Sequence, residues 1–581
     1  MPATLPSDHS IYGEKADIHL FGGNVLAPRM PMTGEGSYAE ASEGLGVTGL
    51  RFPGGSLTEY TFDWNNPDAA RVVDERDGEE TDFITTSDFM AHVASTGQSA
   101  TFVLPTRTQL SEEVDENGNR LPDIDEEGLR EFVHDLASGA YGEAEIKGFE
   151  IGNEYWGSGE MNAVEYGRLS AEMAKIIDSE LDLVAEVYDI DTSGMKVLTQ
   201  MGHNYNYSRL SDEYEGWDAE DVIDDLRAKY PEADLDYGNI RGSGEPNWTE
   251  INNHLVRMAY DQDPEAAEAL DGLIAHVYTR GTDQSRHYDL DNIKNTWLEE
   301  GYEDLEIHVT EWNLKSTSGL DREEDYGLHQ AHEMLNIMEE FMGAGVDQAH
   351  VWPLVQNTNN ALSNGFEYDE STVPGEMFAM MSENIPGKQI IDFTPGRDTE
   401  YDAGTADVHA FAGGGDMVIY VASTSDQAAM NDIDLSNFVA GYESIEATRL
   451  GVAEGEAIGS NRSEAHVEEL DAAEIFQDGI LQADLTEGEI LQLVIRGIEP
   501  TEEFAPTLAA IDGDEETGPN EEDDETPDED FPIPILPPEP EEPREEEDPT
   551  PDDDGDAFGW EGIAWALGLL PILALIGGAG F

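Results

Sequence analysis

Eight short apolar segments alternate with helical patterns between residues 18 and 354, and this alternation limits the fold more than any other feature of the chain. The apolar segments cover residues 18–26, 49–52, 100–104, 146–151, 195–200, 273–278, 305–310 and 348–354. Amphipathic helical periodicity lies between them, for example over residues 163–177, 219–229 and 323–342. Eight strand–helix units are the number that closes a parallel barrel. The sequence therefore predicts an α/β fold with a (β/α)8 TIM barrel over residues 18–385.

The periodicity changes after the predicted barrel. Residues 386–500 alternate apolar and polar side chains between turn clusters, and residues 408–412, 413–416 and 417–422 form a strand–turn–strand pattern. Such a pattern is typical of an all-β sandwich domain. Residues 1–17 are set apart as an N-terminal segment that can join this sandwich.

The composition changes again near residue 500. Residues 501–556 are rich in acidic residues and proline, which predicts an extended, self-repelling linker. Residues 557–581 then form a hydrophobic C-terminal anchor or sorting segment, because residues 562–581 are uncharged and match the length of one bilayer crossing. No basic residue follows them, so a permanent anchor and a cleaved signal both remain open. With no N-terminal signal pattern, we expect an extracellular or cell-surface protein, attached to a membrane or cell surface through residues 562–581, whose export route stays open.

Acidic residues dominate the whole chain. There are 128 Asp and Glu against 28 Lys and Arg, a net charge of −100, which opposes binding to nucleic acid. Repulsion at this density is relieved when salt shortens the screening length, so we predict a saline, halophilic setting, with acidity as a solubility device as the alternative. The absence of cysteine excludes disulfides, thiolate metal sites and cysteine nucleophiles. Catalysis by this chain must use oxygen and nitrogen groups.

Two glutamates follow the fourth and seventh predicted strands. In a parallel barrel the residues after each strand line one mouth, so Glu154 and Glu311 should face each other there. A retaining glycosidase needs such a pair, one as acid/base and one as nucleophile. Trp156 and Trp312 lie beside them and offer faces for sugar rings, and Asn153 can bond a sugar hydroxyl.

The same strand ends carry a family resemblance over residues 18–360. The matching motifs are Leu50-Arg51-Phe52-Pro53-Gly54-Gly55, Gly152-Asn153-Glu154, Glu165-Tyr166-Gly167-Arg168-Leu169, His276-Val277-Tyr278 and Glu311-Trp312-Asn313. They resemble the α-L-arabinofuranosidase family, whose members are retaining glycoside hydrolases of the superfamily called clan A. The resemblance implies Glu154 as acid/base and Glu311 as nucleophile. It also implies that Arg51 and Tyr278 bond the nucleophile and that Asn153 contacts a sugar hydroxyl.

The sequence departs from that family at two places. Thr310 precedes the nucleophile where the family usually has Asp, and Tyr155-Trp156-Gly157 stands where it has Met-Asp-Gly. The end of the seventh strand also resembles the β-xylosidase and α-L-iduronidase family of the same clan. The expected substrate is therefore a plant or algal type polysaccharide cut at non-reducing-end or internal bonds, in an arabinofuranosidase-like, xylosidase or uronidase reaction. Basic residues at strand ends could hold a uronate or form surface ion pairs, namely Arg107, Arg280 and Lys315.

Further candidates for substrate binding follow other strands. They are His203 after the fifth strand, His276 on the sixth, and Trp352 with Gln356 at the eighth. For each of them a structural role is the alternative.

Neither a cofactor nor a metal is expected, and a carbohydrate substrate is the expected partner. The cluster of His329, His332 and Glu333 falls within a helix and lacks a third fixed ligand, and residues 413–415 match a hairpin turn rather than a phosphate loop. A rival hypothesis is a non-catalytic carbohydrate-binding surface protein. Two carboxylates at attacking distance favour the enzyme.

Overall fold

The predicted barrel is present in the computed structural model, which describes residues 3–6, 9–316, 319–393 and 400–513. Its parallel strands close in sequence order into one barrel. They are β1 (Gly22–Asn24), β2 (Gly49–Phe52), β3 (Ser99–Leu104), β4 (Glu145–Ile151), β5 (Lys196–Gln200), β6 (Gly272–Thr279), β7 (Glu306–Leu314) and β8 (Gln348–Val351). The expected fold class is confirmed.

The first predicted strand is shorter than expected. Ile18–Phe21 forms a 3-10 helix, because the Asp17 side chain accepts a hydrogen bond from the backbone of His19 and starts a turn there. β1 then begins at Gly22.

Helices surround the barrel and return the chain to the start of each next strand. They are α1 (Tyr38–Leu45), α2 (Leu57–Thr61), α3 (Thr86–Thr96), α4 (Glu126–Ala137), α5 (Ala163–Tyr188), α6 (Ala219–Lys229), α7 (Trp248–Gln262), α8 (Pro264–Glu268), α9 (Asp283–Thr296), α10 (Leu328–Ala344) and α11 (Val373–Asn384). Local sequence sets their ends: Asn162 and Glu165 form a capping box at the start of α5. Gly97 ends α3 in the left-handed conformation.

Short elements decorate the connections between strands and helices. The two-stranded pairs are Arg71–Val73 with Glu80–Asp82, Leu110–Val114 with Arg120–Pro122, and Val355–Gln356 with Ser363–Asn364. The 3-10 helices are Asn206–Ser208, Leu210–Asp212, Tyr237–Asn239 and Leu298–Glu300.

Two sheets form the β domain after the barrel, and their strands pair antiparallel except for Ala3–Thr4, which pairs parallel with Ala429–Asp434. The larger contains, in spatial order, Ser10–Tyr12, Gln389–Asp392, Ala406–Gly413, Asp416–Ser423, Ile490–Arg496, Ser444–Val452 and Ala465–Leu470, with Tyr401–Asp402 beside Ala406–Gly413. The smaller contains Ala3–Thr4, Ala429–Asp434, Ile480–Leu485 and Phe476–Gln477. Val439–Gly441 pairs with Glu499–Pro500, and the helices of this domain are Ala472–Ile475 and Ala505–Asp512. The predicted hairpin at residues 408–422 is present, and both N-terminal strands pair with strands of the β domain.

The central strands of the larger sheet, Ala406–Gly413, Asp416–Ser423 and Ile490–Arg496, are buried on both faces. Along Asp416–Ser423, Ile419 and Val421 belong to the core between the two sheets, whereas Val418 and Tyr420 belong to the barrel core. The Tyr420 hydroxyl also donates to the backbone carbonyl of Met380 on α11 at 3.3 Å. Alternation along one strand therefore fastens the β domain to the barrel.

The folded part of the chain extends beyond the predicted domain boundary. Residues 501–513 were expected in the linker, yet Ala505–Asp512 is helical, and Phe504, Leu508 and Ile511 are buried in the core of the β domain. This part of the prediction is corrected, because the apolar spacing supplies a helix face that the sandwich covers. Residues 514–581, with the rest of the linker and the hydrophobic segment, lie outside the described residues. Within the described ranges, no helix combines the length and apolarity that a membrane crossing requires.

Candidate active site

A β-bulge in β7 brings two consecutive side chains into the barrel mouth. Ala275 of β6 pairs with Val309, but His276 pairs with Glu311, so Thr310 is the extra residue. Strict alternation would place Thr310 and Glu311 on opposite faces, and the bulge lets both point inward. Trp312 then returns to the outer face.

Glu311 is fixed by a cation and a hydroxyl. Arg51 Nη1 donates to its Oε1 at 2.8 Å, and the Tyr278 hydroxyl donates to its Oε2 at 2.7 Å. The side chain of Glu311 is only 5% exposed. Both oxygens therefore have a set direction in a site with little water.

Arg51, at the end of β2, uses all five of its donors. Nε and Nη2 bind Glu150 bidentately at 2.7 Å, and the remaining bonds go to Glu311, Asn24 and Asn153. Burial raises the pKa of Glu150, but the charge of Arg51 outweighs it and lowers the pKa to about 2. Glu150 thus stays ionised and balances the buried guanidinium.

Glu154 lies in the turn after β4, close to Glu311. Oxygen atoms of the two carboxylates lie within 4.8 Å of each other. The backbone of Glu154 has a φ of 43°, which is uncommon outside glycine, and its side chain is 25% exposed. Gln200 supports this turn, since its Oε1 accepts from the backbone N–H of Tyr155 at 3.1 Å and its Nε2 donates to the Gly152 carbonyl at 3.0 Å.

His276 lies between the two glutamates. Its Nδ1 is 3.3 Å from Glu154 Oε1 and 3.8 Å from Glu311 Oε2, and its Nε2 is 3.2 Å from Thr310 Oγ1. Burial lowers the pKa of His276, but Glu311, Glu150 and Glu154 together outweigh it and raise the pKa to about 10. Burial alone would raise the pKa of Glu154, but the effect of the neighbouring His276 is larger, and the pKa of Glu154 is lowered.

The same three side chains have spacing that could hold a metal ion. In the part of the chain that the structure describes, Glu154, His276 and Glu311 are the group with ligand atoms close enough. The Arg51 guanidinium and the protonated imidazole already supply positive charge there, which opposes a bound cation. The arrangement suits proton transfer and nucleophilic attack better.

Aromatic rings lie on one side of the mouth. The Trp156 ring packs at 4.7 Å from His203 and 6.2 Å from His276. Burial lowers the pKa of His203, and its Nδ1 is buried with no hydrogen-bond partner in the described structure. Trp352 lies at the opposite edge, where its ring occupies the space that a side chain at Gly55 would need.

One predicted substrate contact is wrong. Trp312 is fully buried and packs on Phe341 of α10 and Phe378 of α11, at ring distances of 5.6 and 6.2 Å. It follows the inward Glu311, so strand alternation directs it to the helices outside the barrel. Trp312 is a core residue rather than a sugar contact.

Two further predicted groups have partners within the protein. Both polar atoms of the Asn153 amide are engaged: Oδ1 accepts from Arg51 at 2.9 Å and Nδ2 donates to Ser158 at 3.2 Å. Arg107 forms an ion pair with Glu75, so a surface ion pair is the role the structure gives it. Arg280 is exposed after β6, and Lys315 follows β7.

Four polar residues of the site did not emerge from the sequence. They are Asn24, Glu59, Glu150 and Gln200, all buried. Glu150 carries a signal in retrospect, because a charged residue inside an apolar barrel strand must have a buried partner. The sequence gives no such signal for Glu59, since its partners are far away along the chain.

Comparison with known proteins places the fold. No protein-family model matches the sequence, and no curated protein sequence does. Among solved structures, a GH51 arabinofuranosidase from Xanthomonas axonopodis pv. citri matches with a TM-score of 0.51 and 14% identity, over 84% of this chain and 99% of that one. A family 51 α-L-arabinofuranosidase from Bifidobacterium longum matches with a TM-score of 0.50 and 14% identity, over 84% and 98%. The chain shares the fold of these proteins over nearly their whole length.

Proposed function

We propose that this protein is a retaining glycoside hydrolase in which Glu311 is the nucleophile and Glu154 the acid/base. The observation that carries the proposal is the carboxylate pair in the barrel mouth, with oxygens within 4.8 Å of each other. Retaining enzymes place their two carboxyl groups about 5 to 5.5 Å apart, and inverting enzymes about 6.5 to 9.5 Å. An approach this close favours the shorter spacing of retaining enzymes.

The environments of the two glutamates support different roles. Glu311 is held at both oxygens by Arg51 and Tyr278, which suits a nucleophile that must approach the anomeric carbon from a fixed direction. It attacks that carbon while the glycosidic oxygen leaves, and a glycosyl ester forms on Glu311. Water then attacks the same carbon from the face that the leaving group vacated, and Glu311 is released.

Glu154 delivers and later recovers the proton. The pair of Glu154 and His276 holds a proton at neutral pH, as the pKa of about 10 for His276 indicates. Of the two side chains Glu154 is open to the mouth, at 25% exposure against 3% for His276. Glu154 therefore passes the proton that it shares with His276, 3.3 Å away, to the leaving oxygen, and in the second step it takes a proton from the attacking water.

The structural neighbours and the strand-end motifs indicate the substrate class. Both structural neighbours described above are arabinofuranosidases, which supports an arabinofuranosidase-like activity at non-reducing-end or internal bonds of a plant or algal type polysaccharide. The motif at the end of β7 keeps a β-xylosidase or uronidase reaction as the second candidate. We also propose that the enzyme acts outside the cell in a saline setting, as its charge and C-terminal sequence predict.

Chemical rescue of alanine variants tests the assigned roles. A panel of aryl glycosides first identifies a sugar that the wild type cleaves. Glu311→Ala should then lose activity, and azide or formate should restore it with inverted configuration in the product, because the anion attacks in place of the carboxylate. Glu154→Ala should lose most on poor leaving groups and give a retained azide product. Full activity of Glu311→Ala would refute the site.

A further inference from the structure

Glu59 is a buried carboxylate that the proposed mechanism does not use. It lies on α2, just after β2, and is 4% exposed. Its Oε2 accepts from the backbone N–H groups of Thr106 at 2.7 Å and Arg107 at 2.8 Å. Its Oε1 accepts from the backbone N–H of Asn153 at 2.8 Å and from the Thr106 hydroxyl at 3.0 Å. One carboxylate thus joins the chain after β2 to the turns after β3 and β4.

The bond to Asn153 acts on the turn that aims the acid/base. Asn153 directly precedes Glu154, whose φ of 43° must be maintained by its surroundings. On the other side of Asn153, Gly152 has a φ of 80°, and a side chain there would meet the Thr106 hydroxyl at 2.8 Å. Glu59 and Thr106 therefore hold the turn of Gly152, Asn153 and Glu154 in place.

A buried carboxylate at this position calls for an explanation. The pKa of Glu59 is raised, because burial outweighs the backbone donors and the Thr106 hydroxyl, which favour the ionised form. An apolar side chain would avoid the desolvation cost but would leave three backbone N–H groups unpaired. An acceptor with two oxygens satisfies all four donors at once.

The nucleophile has a separate support. Glu311 is held by Arg51 and Tyr278, from β2 and β6. The two supports are linked by the bond from Arg51 to Asn153 and by Gln200, which donates to both the Gly152 carbonyl and Glu150, whereas the bonds of Glu59 go to the turns after β3 and β4. Disturbing Glu59 should therefore displace Glu154 more than Glu311.

We propose that Glu59 is a positioning residue that sets the proton-transfer geometry of Glu154; this inference rests on the proposed function. In Glu59→Gln the amide nitrogen would face backbone N–H donors, so the turn must shift. A displacement of about 1 Å at a reacting group costs about a hundredfold in rate. The loss should fall on the step that needs the proton.

The test compares two leaving groups on the same sugar. Glu59→Gln should lower kcat/KM, which reports the first chemical step, by about tenfold to a hundredfold on an alkyl glycoside, which needs full protonation, and by less than about threefold on a dinitrophenyl glycoside. Glu59→Asp keeps a carboxylate and should recover part of the loss. Glu59→Asp is also the variant to be measured if Glu59→Gln does not fold.

Glu180→Gln is the matched control. Glu180 is equally buried, but it lies on α5 and bonds His134 and Arg130, away from the mouth. Its loss should leave the ratio of the two rates unchanged. A parallel fall on both substrates in the Glu59 variants would overturn the positioning role, because a general loss of structure affects both. A wild type that cleaves neither substrate would overturn the proposed function as well.

Discussion

Replacing Arg51 by methionine removes the guanidinium on which the buried charges of the site depend. The change breaks three bonds to carboxylates at 2.7 to 2.8 Å and two to amide oxygens at 2.9 Å. Glu150, which is fully buried, then keeps only the more distant His276 imidazole, 3.9 Å away, as a cationic partner. Removing one partner of a buried ion pair costs about 3 to 5 kcal/mol. We expect Arg51→Met to lower the free energy of unfolding by at least that amount.

A double variant separates the cost of the buried Glu150 charge from the cost of the lost hydrogen bonds. Glu150→Gln keeps the shape of the side chain but carries no charge, so Arg51→Met/Glu150→Gln should recover about 2 to 3 kcal/mol relative to the sum of the single changes. The assay is urea unfolding of the wild type, the two single variants and the double variant, all in the same high-salt buffer near neutral pH. A coupling below about 0.5 kcal/mol would refute the pairing described here.

The same series has a pH signature. In the wild type the pKa of Glu150 is lowered to about 2, so this group contributes stability above its unfolded pKa, near 4.5, and the contribution is lost as the pH falls toward 2. Without Arg51 that contribution is absent. The deficit of Arg51→Met should therefore be largest above about pH 4.5 and shrink on acidification. Activity should not return in the double variant, because Glu311 still lacks its cation.

Four other outcomes are expected. Tyr278→Phe removes one bond to a charged oxygen, worth about 1.5 to 3 kcal/mol, and should lower kcat by about 10- to 150-fold, and unchanged kcat would contradict the role of this bond. In the wild type the raised pKa of His276 gives stability that is complete below pH 6.5 and is lost as the pH rises through about 10. The free energy of unfolding of His276→Asn should therefore fall less than that of the wild type between about pH 6.5 and 10. Sodium chloride at molar concentration should raise the melting temperature of a chain with net charge −100, and a flat or falling value would leave acidity as a solubility device. Deleting residues 514–581 should leave melting and activity unchanged, whereas deleting 501–581 should lower the melting temperature by removing the packed helix Ala505–Asp512.

Much of the barrel and the positions of its two glutamates could be read from local patterns. Apolar segments and helical periodicity repeat at short range, so they predict strands and helices, and the C-terminal ends of parallel strands meet at one edge. The alternation of side chains along a strand also predicts that Trp312 points outward, since it follows the inward-pointing Glu311. Likewise, the spacing of Phe504, Leu508 and Ile511 predicts a helix face despite its acidic surroundings.

The supports of the site could not be predicted in this way. The partners of Glu59 are in turns 47 and 94 positions away in the sequence. The inward direction of Thr310 depends on a bulge, which appears only when β6 and β7 pair. Such contacts follow from the closed barrel and not from the spacing of residues along the chain.

The configuration of the first product tests the central claim most directly. Proton NMR of the wild-type reaction, recorded before the sugar mutarotates, reports which anomer leaves the enzyme. Two carboxylates with oxygens within 4.8 Å predict double displacement, and so a product that keeps the configuration of the substrate. An initial product of inverted configuration would contradict the roles assigned to Glu154 and Glu311.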